Sequence, residues 1–280
     1  MTPAFLVAAL RLAGLLAAGA ASGVIGSLLG LGGGIFLIPA LVLVFGVPMH
    51  QAVAASLVAI IATSCAGASR NAQAGLANVR LGTALETTTV LGALAGALLA
   101  HRLPERALLG LFAALLFAVC AVLWRRGSRA GEPAPAPVGG LLDGEYEDPA
   151  SGRAVRYSVR HLPGALAASL GAGFMSALLG VGGGIVKVPA MHLFCGVPMK
   201  AAAATSNFMI GVTASASAVV YLCAGHVPAL IAATVALGVL AGSQGGLWLS
   251  RRLSDAQVRR VFAAATFCIA WLFVRRVLAP

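Results

Sequence analysis

Apolar residues in this chain run in long unbroken blocks instead of alternating with polar ones. The blocks cover residues 4–30, 35–46, 51–69, 81–101 and 106–124, then 163–180, 185–196, 201–222, 227–250 and 255–274. A helix needs about 20 apolar residues to cross a bilayer, and most of the blocks reach or approach that length. Residues 35–46 and 185–196 do not, at about 1.5 Å of rise per residue, and are expected to be half-helices or re-entrant pieces. No Asp, Glu, Lys or Arg occurs within 201–250, which predicts two spans joined by the turn Gly225-His226-Val227-Pro228. The first block resembles a secretory leader, but it lacks a basic start and its partner block at 163–180 recurs in mid-chain. It is expected to be a retained helix.

The blocks repeat. Residues 23–50 read GVIGSLLGLGGGIFLIPALVLVFGVPMH and residues 173–200 read GFMSALLGVGGGIVKVPAMHLFCGVPMK, with 15 of 28 positions identical at a constant offset of 150. The register continues through Ser56 and Ser206, Thr63 and Thr213, Gly92 and Gly242, and Arg125-Arg126 and Arg275-Arg276. The expected organisation is a first transmembrane repeat at 1–126, a polar linker at 127–161 and a second repeat at 162–280. The linker carries a Pro/Ala run, and its stretch Tyr146 to Tyr157 reads as a small hairpin about Asp148-Pro149-Ala150-Ser151-Gly152. The fold class is therefore an all-α integral membrane protein made of two helical repeats with glycine-interrupted short helices. If each half crosses an odd number of times the repeats are inverted, which is the expected arrangement; an even count would make them parallel.

Composition narrows the class further. Of 280 residues 60% are hydrophobic and 10% charged, with a mean hydropathy of +0.96. A soluble domain carries about 25% charge, so an ordinary soluble enzyme and a disordered chain are both excluded. The formal charge of +11 does not signal nucleic acid, because the arginines sit in pairs at block ends (Arg102 and Arg106, Arg251 and Arg252, Arg259 and Arg260). That is headgroup level in a bilayer, and mostly the cytoplasmic side. The five cysteines form no Cys-x-x-Cys pair, so neither a metal site nor a disulfide framework is expected; they read as small buried apolar residues.

The candidate chemistry lies at the two glycine runs. Three consecutive glycines break a helix, and irregular backbone at membrane depth must be buried in protein or line a polar cavity. The segment after each break begins with free N–H groups and the positive end of a helix dipole, which suits an anion. Gly32, Gly33 and Gly34 in one half, and Gly182, Gly183 and Gly184 in the other, are thus candidate binding residues; the alternative is that they only allow close helix packing. Lys187 follows the second run by three positions, where the first half has Leu37. A lysine in an apolar segment costs at least about 2.5–3.5 kcal/mol at a helix centre. It is read either as a fixed positive charge for an anion or as a side chain snorkelling to the interface. Thr205, Ser206 and Asn207 are candidate oxyanion contacts, or they satisfy their own helix backbone. Glu86, whose counterpart is Ala236, is expected near the interface beside Arg70 or Arg80. His192 reads as a packed neutral imidazole. Pro39 and Pro189 are expected to end the turns after the breaks. No nucleophile, base and orienter can be assembled, so an enzyme is not expected, and no cofactor is implied.

The duplicated G-x-x-S/G-x-x-L-G-h-G-G-G pattern with a following Pro, then G-V-P-M and an Ala/Thr-Ser stretch, resembles the TauE/SafE (sulfite exporter-type) transporter family. The stretch SALLGVGGGIVKVPAMHLFCGVPMKAAAATSNFMIGVTASASA is especially similar, and the resemblance covers nearly the whole chain. It implies a multi-pass protein of a bacterial-type inner membrane that exports small anions such as sulfite, organosulfonates or carboxylates. It also implies coupling to an ion gradient, with a proton or sodium ion as partner. An anion channel and a membrane-embedded subunit without transport are the alternatives. Partners are then the lipid bilayer and a small anionic solute, with no nucleic acid.

Overall fold

The protein is described here from a computed structural model at residues 3–29, 32–125, 140–147, 154–250, 269–273 and 275. The predicted segment 255–274 lies largely outside these residues, as does the turn of the linker hairpin.

The chain is built almost wholly of helices: α1 (Pro3–Leu29), α2 (Gly34–Pro39), α3 (Met49–Gln73), α4 (Val79–Ala100), α5 (Glu105–Arg125), α6 (Leu162–Leu179), α7 (Gly184–Cys195), α8 (Met199–Cys223) and α9 (Ala229–Ser250). In the linker, β1 (Gly144–Glu147) and β2 (Ala154–Tyr157) pair antiparallel, with Tyr146 opposite Val155. Six helices among the described residues are long and apolar enough to cross a membrane, in α1, α3, α4, α6, α8 and α9. Gly34–Val44 and Gly184–Cys195 are apolar but short.

Pro189 sits inside α7 rather than at its end, whereas Pro39 is the last residue of α2 and the chain coils on from it into one π-helical turn, Ala40–Val44. Each proline removes one N–H from the helix ladder without ending the coil. In the second half α7 continues as α-helix past Pro189 to Cys195.

Outward faces carry large apolar side chains such as Leu91, Leu98, Val219, Leu230 and Leu237, whereas the interior holds many Ala, Ser and Thr. That inversion suits a solvent of lipid, where packing of small residues and not hydrophobic burial joins the helices. Two tight crossings do most of the joining: α1 against α9, and α4 against α6. A Cβ at Gly242 would stand 2.0 Å from the Ala20 carbonyl oxygen, and one at Gly92 would stand 2.0 Å from that of Leu170. Gly92 and Gly242 are 150 residues apart, so the repeat in the sequence reappears as the same contact made twice. α3 packs against α8 between these crossings.

The helix ends gather on two faces. On one, His50 Nε2 meets the Ala100 carbonyl, the Met49 N–H donates to Glu105, and His50 and His101 stack on His226. On the other, the Asn78 N–H donates to Thr205 Oγ1, Asn78 Nδ2 donates to the Leu142 carbonyl, and the Arg160 N–H donates to the Cys195 carbonyl. The first face therefore joins the start of α3 to the end of α4 and the α8–α9 turn. The second joins the α3–α4 turn to the linker and the α7–α8 turn.

Candidate functional site

The two glycine breaks come together inside the bundle. Gly32, Gly33, Gly182 and Gly183 all have φ between 68° and 83°, backbone that only glycine takes without strain. Gly34 lies against the Gly180 carbonyl oxygen, 2.4 Å from where its Cβ would be. Ser56 Oγ on α3 donates to that same carbonyl at 2.8 Å. This ties the first half to the orphan carbonyl at the end of α6. Gly32 and Gly182 both face Ile60 and Ile210, a pair of side chains at the repeat offset.

Lys187 projects from the first turn of α7 and curls back over its own break, with Cε 3.5 Å from a Cβ placed on Gly183. Its side chain is 1% exposed. It does not snorkel. Nζ donates to Thr213 Oγ1 on α8 at 2.8 Å and stands 3.5 Å from Glu86 Oε2 on α4. Thr213 Oγ1 in turn donates to Glu86 Oε1. The expected placement of Glu86 beside Arg70 or Arg80 is thus corrected. Arg80 is on an exposed position at the start of α4, whereas Glu86 is 6% exposed and turned to the interior. Two charges that would each be costly alone in the bundle are brought together by three helices, and Thr213 bridges them.

The neighbouring candidates take different roles. Thr205 is fully buried, and its hydroxyl accepts the Asn78 N–H at the N-terminus of α4. Asn78 Oδ1 also caps that helix, accepting from the Leu81 N–H. Ser206 and Ser176 hydroxyls are buried and make no hydrogen bond, and Ser176 borders Gly183, its Cβ 3.2 Å from a Cβ placed there. The Asn207 carboxamide packs on Gly67 of α3, while its backbone carbonyl accepts from Ser64. His192 Nδ1 meets the Val197 carbonyl and closes the α7–α8 turn. Among the described cysteines Cys195 is buried, but Cys65 and Cys223 face outward, so the expectation that they are all interior residues is corrected.

Glu86 is the functional candidate that sequence spacing misplaced. It lies 101 positions from Lys187, so no local pattern joins them. Charge balance points to it: Glu86 and Lys187 each replace an uncharged residue of the other half (Ala236 and Leu37), and Lys187 lacks a sequence neighbour of opposite sign in its span.

A multi-pass helical bundle with interrupted helices meeting around a buried ion pair has the build of a membrane transporter. The comparisons agree. The family model described as "Sulfite exporter TauE/SafE" matches residues 15–273, and the chain belongs to this family. It is 26% identical over 247 residues to "Probable membrane transporter protein YunE" of Bacillus subtilis (strain 168), across 86% of this chain and 89% of the relative. No solved structure matches the chain. The protein is a multi-pass membrane transporter and not an enzyme.

Proposed function

We propose that the protein is a secondary transporter that exports small oxyanions, of the sulfite, organosulfonate or carboxylate class. The observation that carries this reading is Lys187, a buried cation folded over the glycine break at the start of α7, with the unpartnered Ser176 hydroxyl beside the same break. A small anion entering there would meet the first free N–H groups of α7, the positive end of its dipole and the ammonium group. The binding residues are then Gly182, Gly183, Gly184 and Lys187, with Ser206 and Asn207 of α8 as further oxyanion contacts. Gly32, Gly33 and Gly34 form the opposing wall, and Thr205 anchors α4 through Asn78.

The two repeats, 1–126 and 162–280 about the linker 127–161, are taken as inverted. The placement of helix ends supports this: α3 begins on the face where α8 ends, although the two occupy equivalent positions in their repeats. Rocking of one repeat against the other would then expose the site alternately to each side.

Efflux from proteoliposomes loaded with sulfite, methanesulfonate, taurine or acetate tests the assignment. Protein-dependent efflux of at least one oxyanion, saturating with its concentration, is the expected result. Equal flux in protein-free vesicles for all four would refute it. Saturation with coupling to an ion gradient distinguishes a transporter from a channel.

A further inference from the structure

We infer that Glu86 is a displaceable counter-ion: the transported anion takes its place on Lys187, and Glu86 leaves the pair only by accepting a proton. The inference rests on the anion-transport reading and extends it to the coupling ion.

Three observations lead there. First, Lys187 in this state is already neutralised, by Glu86 Oε2 at 3.5 Å and through Thr213. An anion added beside an intact pair would put two negative charges against one positive charge in a water-poor interior, an arrangement that forces one acid to stay protonated. Second, the contact between the charges is loose. At 3.5 Å it is longer than the about 2.7–2.9 Å of a strong ammonium–carboxylate bond, and Thr213 holds the closer contact to each. Thr213 accepts from Lys187, and its own proton is not confined to Glu86, since its Oγ1 also lies 3.0 Å from the Met209 carbonyl of its own helix. Its hydroxyl therefore has somewhere to turn when Glu86 moves off. Third, no other charged side chain packs against the pair among the described residues. α6 and the stretch 201–220 of α8, which pack on α4 and α7, carry no Asp, Glu, Lys, Arg or His. Lys187 is the ionisable side chain that faces Glu86 among the described residues, with Arg80 exposed at the start of α4.

A proton from water joins the Glu86 carboxylate, the neutral acid releases the ammonium group, and one monovalent anion binds it. On release the anion departs, Glu86 returns its proton to the same side and the ion pair closes again. One proton travels with each monovalent anion, in the same direction. The moving unit has no net charge, so the anion and proton gradients set the direction of flux and the membrane potential does not. Export then follows from accumulation of the anion inside.

The experiment uses the full-length protein in proteoliposomes with methanesulfonate as probe, because a sulfonate stays ionised and does not leak through lipid as a neutral acid. Anion flux and internal pH are recorded together under a potential clamped with potassium and valinomycin. The wild type is expected to move one proton per methanesulfonate, at a rate unchanged by the clamped potential. Glu86→Gln, a permanently neutral shape match for the protonated acid, is expected to lose proton movement, and the methanesulfonate flux that remains, at whatever rate, is expected to respond to the potential. Methanesulfonate flux in the wild type without proton movement overturns the inference and leaves the transport reading standing. So does proton coupling that survives in Glu86→Gln. Absence of protein-dependent flux for methanesulfonate, sulfite, taurine and acetate alike overturns the transport reading itself. If the variant does not assemble, the wild-type stoichiometry and its indifference to potential still decide.

Discussion

Replacing Lys187 by Met leaves the Glu86 carboxylate buried without its cation, and the cost can be bounded from both sides. Breaking one partner out of a buried pair costs about 3–5 kcal/mol when the other stays charged. Glu86 has an escape, which is to take a proton. From an ordinary glutamate value near 4.3, holding that proton at pH 7 costs about 4 kcal/mol, and about 1.4 kcal/mol less for each pH unit of acidification. Lys187→Met should therefore destabilise by about 3–4 kcal/mol at pH 7, and by about 1 kcal/mol at pH 5. Glu86→Gln strands an ammonium group, and its escape runs the other way. Losing a proton from an ordinary lysine value near 10.4 costs about 5 kcal/mol at pH 7 and about 2 kcal/mol at pH 9. Acid should rescue the first variant, and alkali the second. The double variant, with both charges gone and similar volume kept, should fall within about 1 kcal/mol of the wild type. Reversible unfolding in mixed micelles, referred to the wild type at each pH, reads all four corners of the cycle. Additive single effects within about 0.5 kcal/mol, or two variants with the same pH trend, would refute the pairing.

Other consequences follow from the same contacts. Asn78→Ala removes the α4 cap and the bond to Leu142; a loss of about 1–2 kcal/mol is expected, with slower anion flux because α4 carries Glu86, and unfolding and flux assays on one preparation check both. Gly242→Ala would force apart α1 and α9, and a loss of at least about 1–3 kcal/mol is expected, whereas Gly110→Ala, with nothing within 4 Å of the new Cβ, should be neutral or stabilising in the same thermal unfolding scan. His101, at the end of α4, is held below the ordinary histidine range by burial first, then by His226 and His50. The folded state thus prefers the neutral ring, and the unfolded chain binds more protons once the pH drops under about 6.5. Stability should be full above that pH and decline as the pH falls through the lower folded value; His101→Gln should flatten the decline in unfolding midpoint between pH 7.5 and 5.

The membrane spans and the duplication were legible in the chain because both leave a linear mark: blocks of apolar residues and a constant offset of 150. The breaks were legible for the same reason, since consecutive glycines cannot continue a helix. Lys187 stood out by its cost in an apolar block. Its partner did not, because a pair 101 residues apart is set by how α4, α7 and α8 pack, and the repeat gives no help where the two halves differ. Thr205 shows a different limit: beside Ser206 and Asn207 it reads as an anion contact, and only the fold shows that its hydroxyl oxygen also accepts the Asn78 N–H. The prolines after the breaks read as helix ends by a local rule; Pro39 does close α2, with a π-helical turn following it, whereas α7 runs on past Pro189 to Cys195.

The central claim is that a small anion is moved by way of the Lys187 ammonium group. The most direct measurement is sulfite efflux from proteoliposomes containing equal amounts of folded wild-type or Lys187→Met protein, matched by thermal unfolding and followed at several internal concentrations. Saturable efflux in the wild type that falls at least about tenfold in the variant is the predicted result. Efflux in Lys187→Met with unchanged maximal rate and half-saturation would contradict it.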